Sequence, residues 1–145
     1  MKTMSLLLVL VAFVTVGPAV SRADQIDLAK ALVGRWEGQI ARGQMDKGWD
    51  YDRTLVIDQV CEQGGKWIVE RARWGVTGRQ LAPVEVRLEV DGDQPTLDFD
   101  IHAGGVQNSA TLRLTKEGVL AGILHLARVG FKNDNMRPMT LKKVE

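Results

Sequence analysis

One cysteine, two histidines and a single tyrosine are all that 145 residues hold of those types, and each scarcity closes off a chemistry. With Cys61 alone, no internal disulfide staples the chain, although small exported domains usually carry cysteines in pairs. A lone cysteine following Val60 is expected as a buried filler rather than a nucleophile. His102 and His125 stand far apart with no cysteine beside them, which is not metal-ligand spacing; no metal and no cofactor is expected. Neither a Gly-x-Ser-x-Gly elbow, a phosphate-cradling glycine loop nor a His-Glu-x-x-His helix occurs. No catalytic residue is named by the sequence, and a non-enzymatic protein is expected. Lys plus Arg (19) nearly balance Asp plus Glu (18), which recommends neither nucleic acid nor an anionic membrane as a partner.

The only long apolar run is Leu6 to Val16, with Lys2 before it and Gly17-Pro18 after it. Ser21-Arg22-Ala23 then offers small residues at the first and third positions, as signal peptidase prefers. A membrane anchor would need about 20 apolar residues, so residues 1–23 read as a cleaved secretory signal with no membrane span left in the mature protein. Residues 24–145 are then one exported domain, periplasmic or secreted. Loss of Lys2 and Arg22 takes the formal charge from +1 to −1.

Past that point the dominant signal is alternation of apolar and polar residues, the period of half-buried strands. Ile26, Leu28, Ala29, Leu32 and Val33 recur at helical spacing first, and Gly34 stands where a helix C-terminus favours positive φ. Eight strands are expected after it: Arg35 to Arg42, Tyr51 to Glu62, Lys66 to Trp74, Val84 to Val90, one through Leu97, Phe99 and Ile101, then Ser109 to Thr115, Val119 to Arg128 and Met136 to Val144. Val84, Val86, Leu88 and Val90 against Glu85, Arg87 and Glu89 is the cleanest alternation. Short turns between strands with one wet and one dry face fit an up-and-down barrel or a two-sheet sandwich. The barrel is expected, because closure removes exposed edges and eight strands enclose room for one small ligand.

Gly34-Arg35-Trp36, a short helix leading into Gly-x-Trp at the first strand, resembles the opening of the lipocalins and related calycin barrels, and the eight-strand meander is similar across nearly the whole mature chain. In that family the tryptophan closes the barrel floor beneath a basic residue of the last strand, for which Lys142 or Lys143 is the match. The long C-terminal helix and the paired cysteines of typical members are missing. The resemblance implies an internal cavity for a small, mostly apolar molecule.

Register narrows the candidates. With two or four residues in the loop at Gly64-Gly65, facing positions on the second and third strands sum to 129, and partners share a face. Leu55 then faces Trp74, Ile57 faces Ala72, Gln59 faces Glu70 and Cys61 faces Ile68. The other face pairs Val56 with Arg73, Asp58 with Arg71 and Val60 with Val69. The opposite charges of Asp58 and Arg71 suit a wet face, so the first set is assigned to the interior. A glutamate inside needs a partner: Gln59 and Glu70 either orient a ligand lying against Trp36 and Trp74, or Glu70 reaches water at a barrel mouth.

At the seventh strand, a two-residue turn Glu117-Gly118 would set His125 with Leu112. A three-residue turn Lys116-Glu117-Gly118 gathers Leu112 and Leu114 with Leu120, Gly122 and Leu124 instead, and turns His125 outward beside Thr111 or Ser109. Burial favours the second. His102 falls on the polar parity, and Asp98 and Asp100 share the solvated face of their strand.

Three classes of function remain. One is a carrier or sensor holding a small apolar molecule. Another is a protein-binding module such as an exported protease-inhibitor-like barrel, although the inhibitory arm would correspond here only to Asp24-Gln25 and the disulfide has no counterpart. The third is an envelope structural or stress protein without ligand. The least strand-like segments each carry an aromatic, Trp49 within Gly43 to Asp50 and Phe131 within Val129 to Asn135. On a carrier both would rim the cavity entrance; on a protein binder they would be exposed anchors; otherwise they plug the barrel end.

Overall fold

The structure, a computed structural model, describes residues 28–43, 50–91, 94–103, 105–127 and 136–144. The expected signal segment 1–23 therefore lies outside the described residues. Residues 28–32 form a helical turn, closed by Val33 N–H donating to the Ala29 carbonyl at 2.9 Å. Gly34 follows at φ 145°, a conformation that side chains rarely adopt, and turns the chain into the first strand.

The strands are β1 (Gly34–Ile40), β2 (Asp52–Gln63), β3 (Lys66–Val76), β4 (Ala82–Val84), β5 (Val86–Asp91), β6 (Gln94–Ala103), β7 (Val106–Leu114), β8 (Val119–His125) and β9 (Met136–Val144). They form one antiparallel sheet in the order β4-β3-β2-β1-β9-β8-β7-β6-β5. Its two ends, β4 and β5, are neighbours in the chain, so the sheet curls into a nearly closed up-and-down barrel rather than a sandwich.

Nine strands stand where eight are expected, and the extra one comes from a break at Glu85. Below the break Val86 pairs with Phe99 on β6; above it Val84 pairs with Ala72 on β3. Pro83 has no N–H to donate and is confined to edge positions of sheets, so β4 stays short and pairs on one side. Inward parity survives, since Val84 and Val86 both face buried partners, Ala72 and Phe99.

Turn chemistry sets the registers. Gly64 and Gly65, at φ 59° and 79°, make the two-residue β2–β3 turn, and Leu55 faces Trp74 and Ile57 faces Ala72 as their sum of 129 requires. Gly118 at φ 78° ends the three-residue β7–β8 turn, which aligns Leu112 with Gly122 and Leu114 with Leu120 and sets His125 opposite Ser109.

The core fills the end of the barrel nearest the helical turn, hereafter the lower end. Trp36, Leu55, Ile57, Leu97, Leu112, Leu120 and Leu141 are buried there, with Leu32 of the helical turn among them. Two inner-face glycines let strands approach closely. A Cβ on Gly38 would run into the Thr140 carbonyl of β9, and one on Gly122 into the Thr111 carbonyl of β7. Gly38→Ala is therefore expected to lower the unfolding free energy by about 1–3 kcal/mol, the usual cost of overpacking, measured by urea titration. An unchanged midpoint would contradict the close β1–β9 approach.

Candidate functional site

Trp36 closes the lower end. Its side chain is 1% exposed, its indole N–H donates to the Leu32 carbonyl at 2.9 Å, and Lys143 Nζ stands 5.7 Å from the ring centroid. Lys143 also donates to the carbonyls of Lys30 (2.9 Å) and Ala31 (3.3 Å) at the end of the helical turn. Of the two lysines considered for this place it is Lys143 that covers the tryptophan, because it pairs with Trp36 on β1, whereas Lys142 pairs with Glu37.

The described residues fill the upper end less completely. A cavity of about 710 Å³ lies there, walled on the inner face by Trp74, Val84, Ile101, Leu124 and Leu126. Trp74, packed edge-on against Phe99 with ring centroids 5.2 Å apart, separates this space from the dense core below. The cavity also reaches residues of the outer face, among them Glu85, Asp100 and His102. Strand pairing explains how: β5 pairs with β6 only as far as Phe99, and β4 pairs only with β3. Between β4 and the end of β6 no backbone ladder closes the wall, and the cavity opens sideways through that seam.

Two sequence candidates, Trp36 and Trp74, are thus inside the barrel, but only Trp74 lines the cavity. Gln59 and Glu70 are not inside. Both are exposed, because a bulge at Asp58 places Gln59 opposite Arg71, and a compensating shift past Glu70 restores the register at Val60 and Val69. A bulge adds one residue to one strand and so reverses which side chains face inward. Beyond it Val60 and Val69 pack on the core. Asp58 consequently pairs with Arg73, at 2.9 and 3.2 Å, rather than with Arg71. Glu70 instead borders a separate hollow of about 410 Å³ together with Asp58, Arg71 and Arg73.

Cys61 is half-buried rather than a buried filler. Its thiol donates to Glu70 Oε1 at 3.1 Å, and Gln63 donates to the same carboxylate oxygen at 3.3 Å. That hydrogen bond, helped by desolvation and the Glu70 charge, raises the Cys61 pKa above the ordinary thiol value. His125 is half-buried and His102 is exposed; among the described residues no three His, Cys, Asp or Glu side chains are gathered to hold a metal ion. Trp49 and Phe131 lie outside the described residues, as does Met45. Among the described residues no helix is long and apolar enough to cross a membrane.

Sequence reasoning passed over Arg53, Arg79, Ile101, Leu124 and Leu126, all of which line the cavity. One signal was readable: Arg53 stands two residues before Leu55 and four before Ile57, a charge on the inward parity of β2. The chain matches no family model, no curated protein and no solved structure.

Two outcomes follow from this geometry. Lys143→Met, which keeps the stem but removes the ammonium, should cost about 1–2 kcal/mol and speed amide exchange at Val33, whose N–H closes the helical turn; unchanged exchange would deny Lys143 its anchoring role. Glu70→Gln should lower the Cys61 pKa, so that iodoacetamide alkylation at mildly alkaline pH becomes several-fold faster; an equal rate would show that Glu70 does not hold the thiol proton.

Proposed function

We propose that this protein is an exported, non-enzymatic, lipocalin-like barrel that binds a small apolar molecule in its upper cavity. The observation that carries the reading is the cavity that the described residues leave at the upper end of the barrel, above a densely packed lower end. A volume of about 710 Å³ falls within the roughly 300–1,000 Å³ of small-molecule sites, and apart from Arg53 its inner wall is mostly aromatic and aliphatic. Dispersion and burial favour an apolar guest there, at about 25 cal/mol for each Å² removed from water.

The resemblance to lipocalins adds two supports. Gly34 and Trp36 open the first strand, and Lys143 of the last strand lies over the tryptophan, as in that family. The barrel-floor device is compatible with a carrier, whose ligand enters from the opposite end.

Native mass spectrometry of the protein purified from its own host tests the reading. A defined small molecule is expected at near-stoichiometric occupancy, and Ile101→Trp, which fills the cavity with an indole, should abolish it while far-ultraviolet circular dichroism stays the same. A wild-type protein that arrives empty, and stays empty when offered a panel of apolar compounds, would overturn the carrier reading in favour of a protein-binding or structural role.

A further inference from the structure

The two ends of the sheet are guarded against pairing with another strand. β4 is short and carries Pro83, and β5 presents Arg87 and Glu89, both exposed; proline and charge are the usual guards of a free edge. A third free edge has neither proline nor a basic residue. β2 pairs with β1 only from Asp52 to Ile57, whereas its ladder with β3 continues to Gln63. From Gln59 to Gln63 the β1 side of the strand meets no other strand among the described residues. Gly34, opposite Ile57, ends the β1 ladder, and the helical turn before it is tied by Lys143 toward β9.

What such an edge accepts depends on its sequence, and here the sequence complements itself. A two-fold axis normal to the sheet sets the edge antiparallel to its own copy, with the same patch on both sides. Opposed residues must share a face. Val60 packs on the core and its neighbour Cys61 therefore faces outward, so a residue can oppose only one of its own parity. Centring the pair on Val60 opposes Asp58 to Glu62, and centring it on Glu62 opposes Glu62 to itself. Both set like charges face to face, which destabilises a sheet. Centring it on Cys61 opposes Val60 to Glu62 and Gln59 to Gln63, whose amides each donate and accept. No like charges meet in that register.

We infer that two copies of this protein associate through the free edges of β2, antiparallel about a two-fold axis at Cys61, so that the β3-β2 hairpin of one copy continues into that of the other. A pairing this short belongs with weak, reversible interfaces. It is independent of the upper cavity, because the edge lies beyond Ile57 at the lower end. Cys61 reports the register: opposed Cα atoms of antiparallel strands stand about 4.5–5.5 Å apart, inside the roughly 4.4–6.8 Å that a disulfide spans.

Sedimentation velocity at loading concentrations from micromolar to millimolar is expected to show a reversible equilibrium of monomer and dimer. Q59K/Q63K sets lysine against lysine at both ends of the pairing and should weaken association about tenfold or more. Q59E/Q63K sets glutamate against lysine and should tighten it several-fold relative to wild type, and added salt should narrow the gap between the two variants. Gln59 and Gln63 are exposed, so far-ultraviolet circular dichroism is expected to be the same in all three proteins. In mildly alkaline buffer diamide, which takes two electrons and two protons from a pair of thiols, should join wild-type copies through a Cys61 disulfide, whereas C61S should associate without being joined. A monomer at every concentration, or a dimer equally strong in both charge variants, would overturn the inference. A dimer that diamide leaves unjoined would overturn the register at Cys61.

Discussion

The ladder between β1 and β9 is the contact on which the rest of the barrel depends. Every other neighbouring pair among the described strands is consecutive in the chain, so each hairpin closes a short loop at modest entropic cost. Joining β1 to β9 brings together residues a whole domain apart, and loop-closure entropy must be met before any contact rewards it. Three features gather on that ladder. Gly38 admits the Thr140 carbonyl, Trp36 and Lys143 face each other across it, and Ala41 N–H extends it by donating to the Pro138 carbonyl at 2.8 Å. Lys143 then reaches the helical turn, so one side chain ties the first described element to the last strand.

Opposite that ladder the barrel is least complete, and the candidate site lies at that gap. Complete pairing of β3 with a continuous fourth strand, and of that strand with β6, would close this side of the wall with backbone hydrogen bonds. The break at Glu85 divides the fourth strand's hydrogen bonds between two neighbours, and the wall between β4 and the end of β6 is left without a ladder. Leu97 and Phe99, below the break, have no exposed surface at all. Ile101, above it on the same strand and the same face, is half-buried and lines the cavity. A change of two residues along β6 is the difference between core and cavity wall.

Most of the strand plan was legible because alternation is a local property, and inward parity persists through Leu97, Phe99 and Ile101 or Leu120, Gly122 and Leu124 whatever the rest of the chain does. The turns were legible for the same reason: Gly64-Gly65 and Gly118 name their own backbone conformations. What escaped were the two places where geometry beyond the local pattern intervenes. Nothing in Ile57-Asp58-Gln59 marks a bulge, yet it turns Gln59 and Glu70 outward and hands Asp58 to Arg73. Pro83 was visible, but the alternation through Val84 and Val86 is unbroken across Glu85, so periodicity sees one strand where hydrogen bonding makes two. The cavity itself was not legible, since it is a region that side chains fail to fill. Register places Trp74 opposite Leu55 on the inner face, and Arg53 was missed although it stands on the same face.

Arg53 and the closing ladder are connected through Gly38. That glycine pairs with Leu141 of β9 on one side and with Arg53 of β2 on the other. Lacking a side chain, it allows β9 to come close, and for the same reason it presents no bulk on the inner face beside the arginine stem. A larger residue there would run into the Thr140 carbonyl and force β1 from β9. The close approach of β9 accounts for a glycine mid-strand between Trp36 and Ile40, where sheet propensity alone would disfavour it.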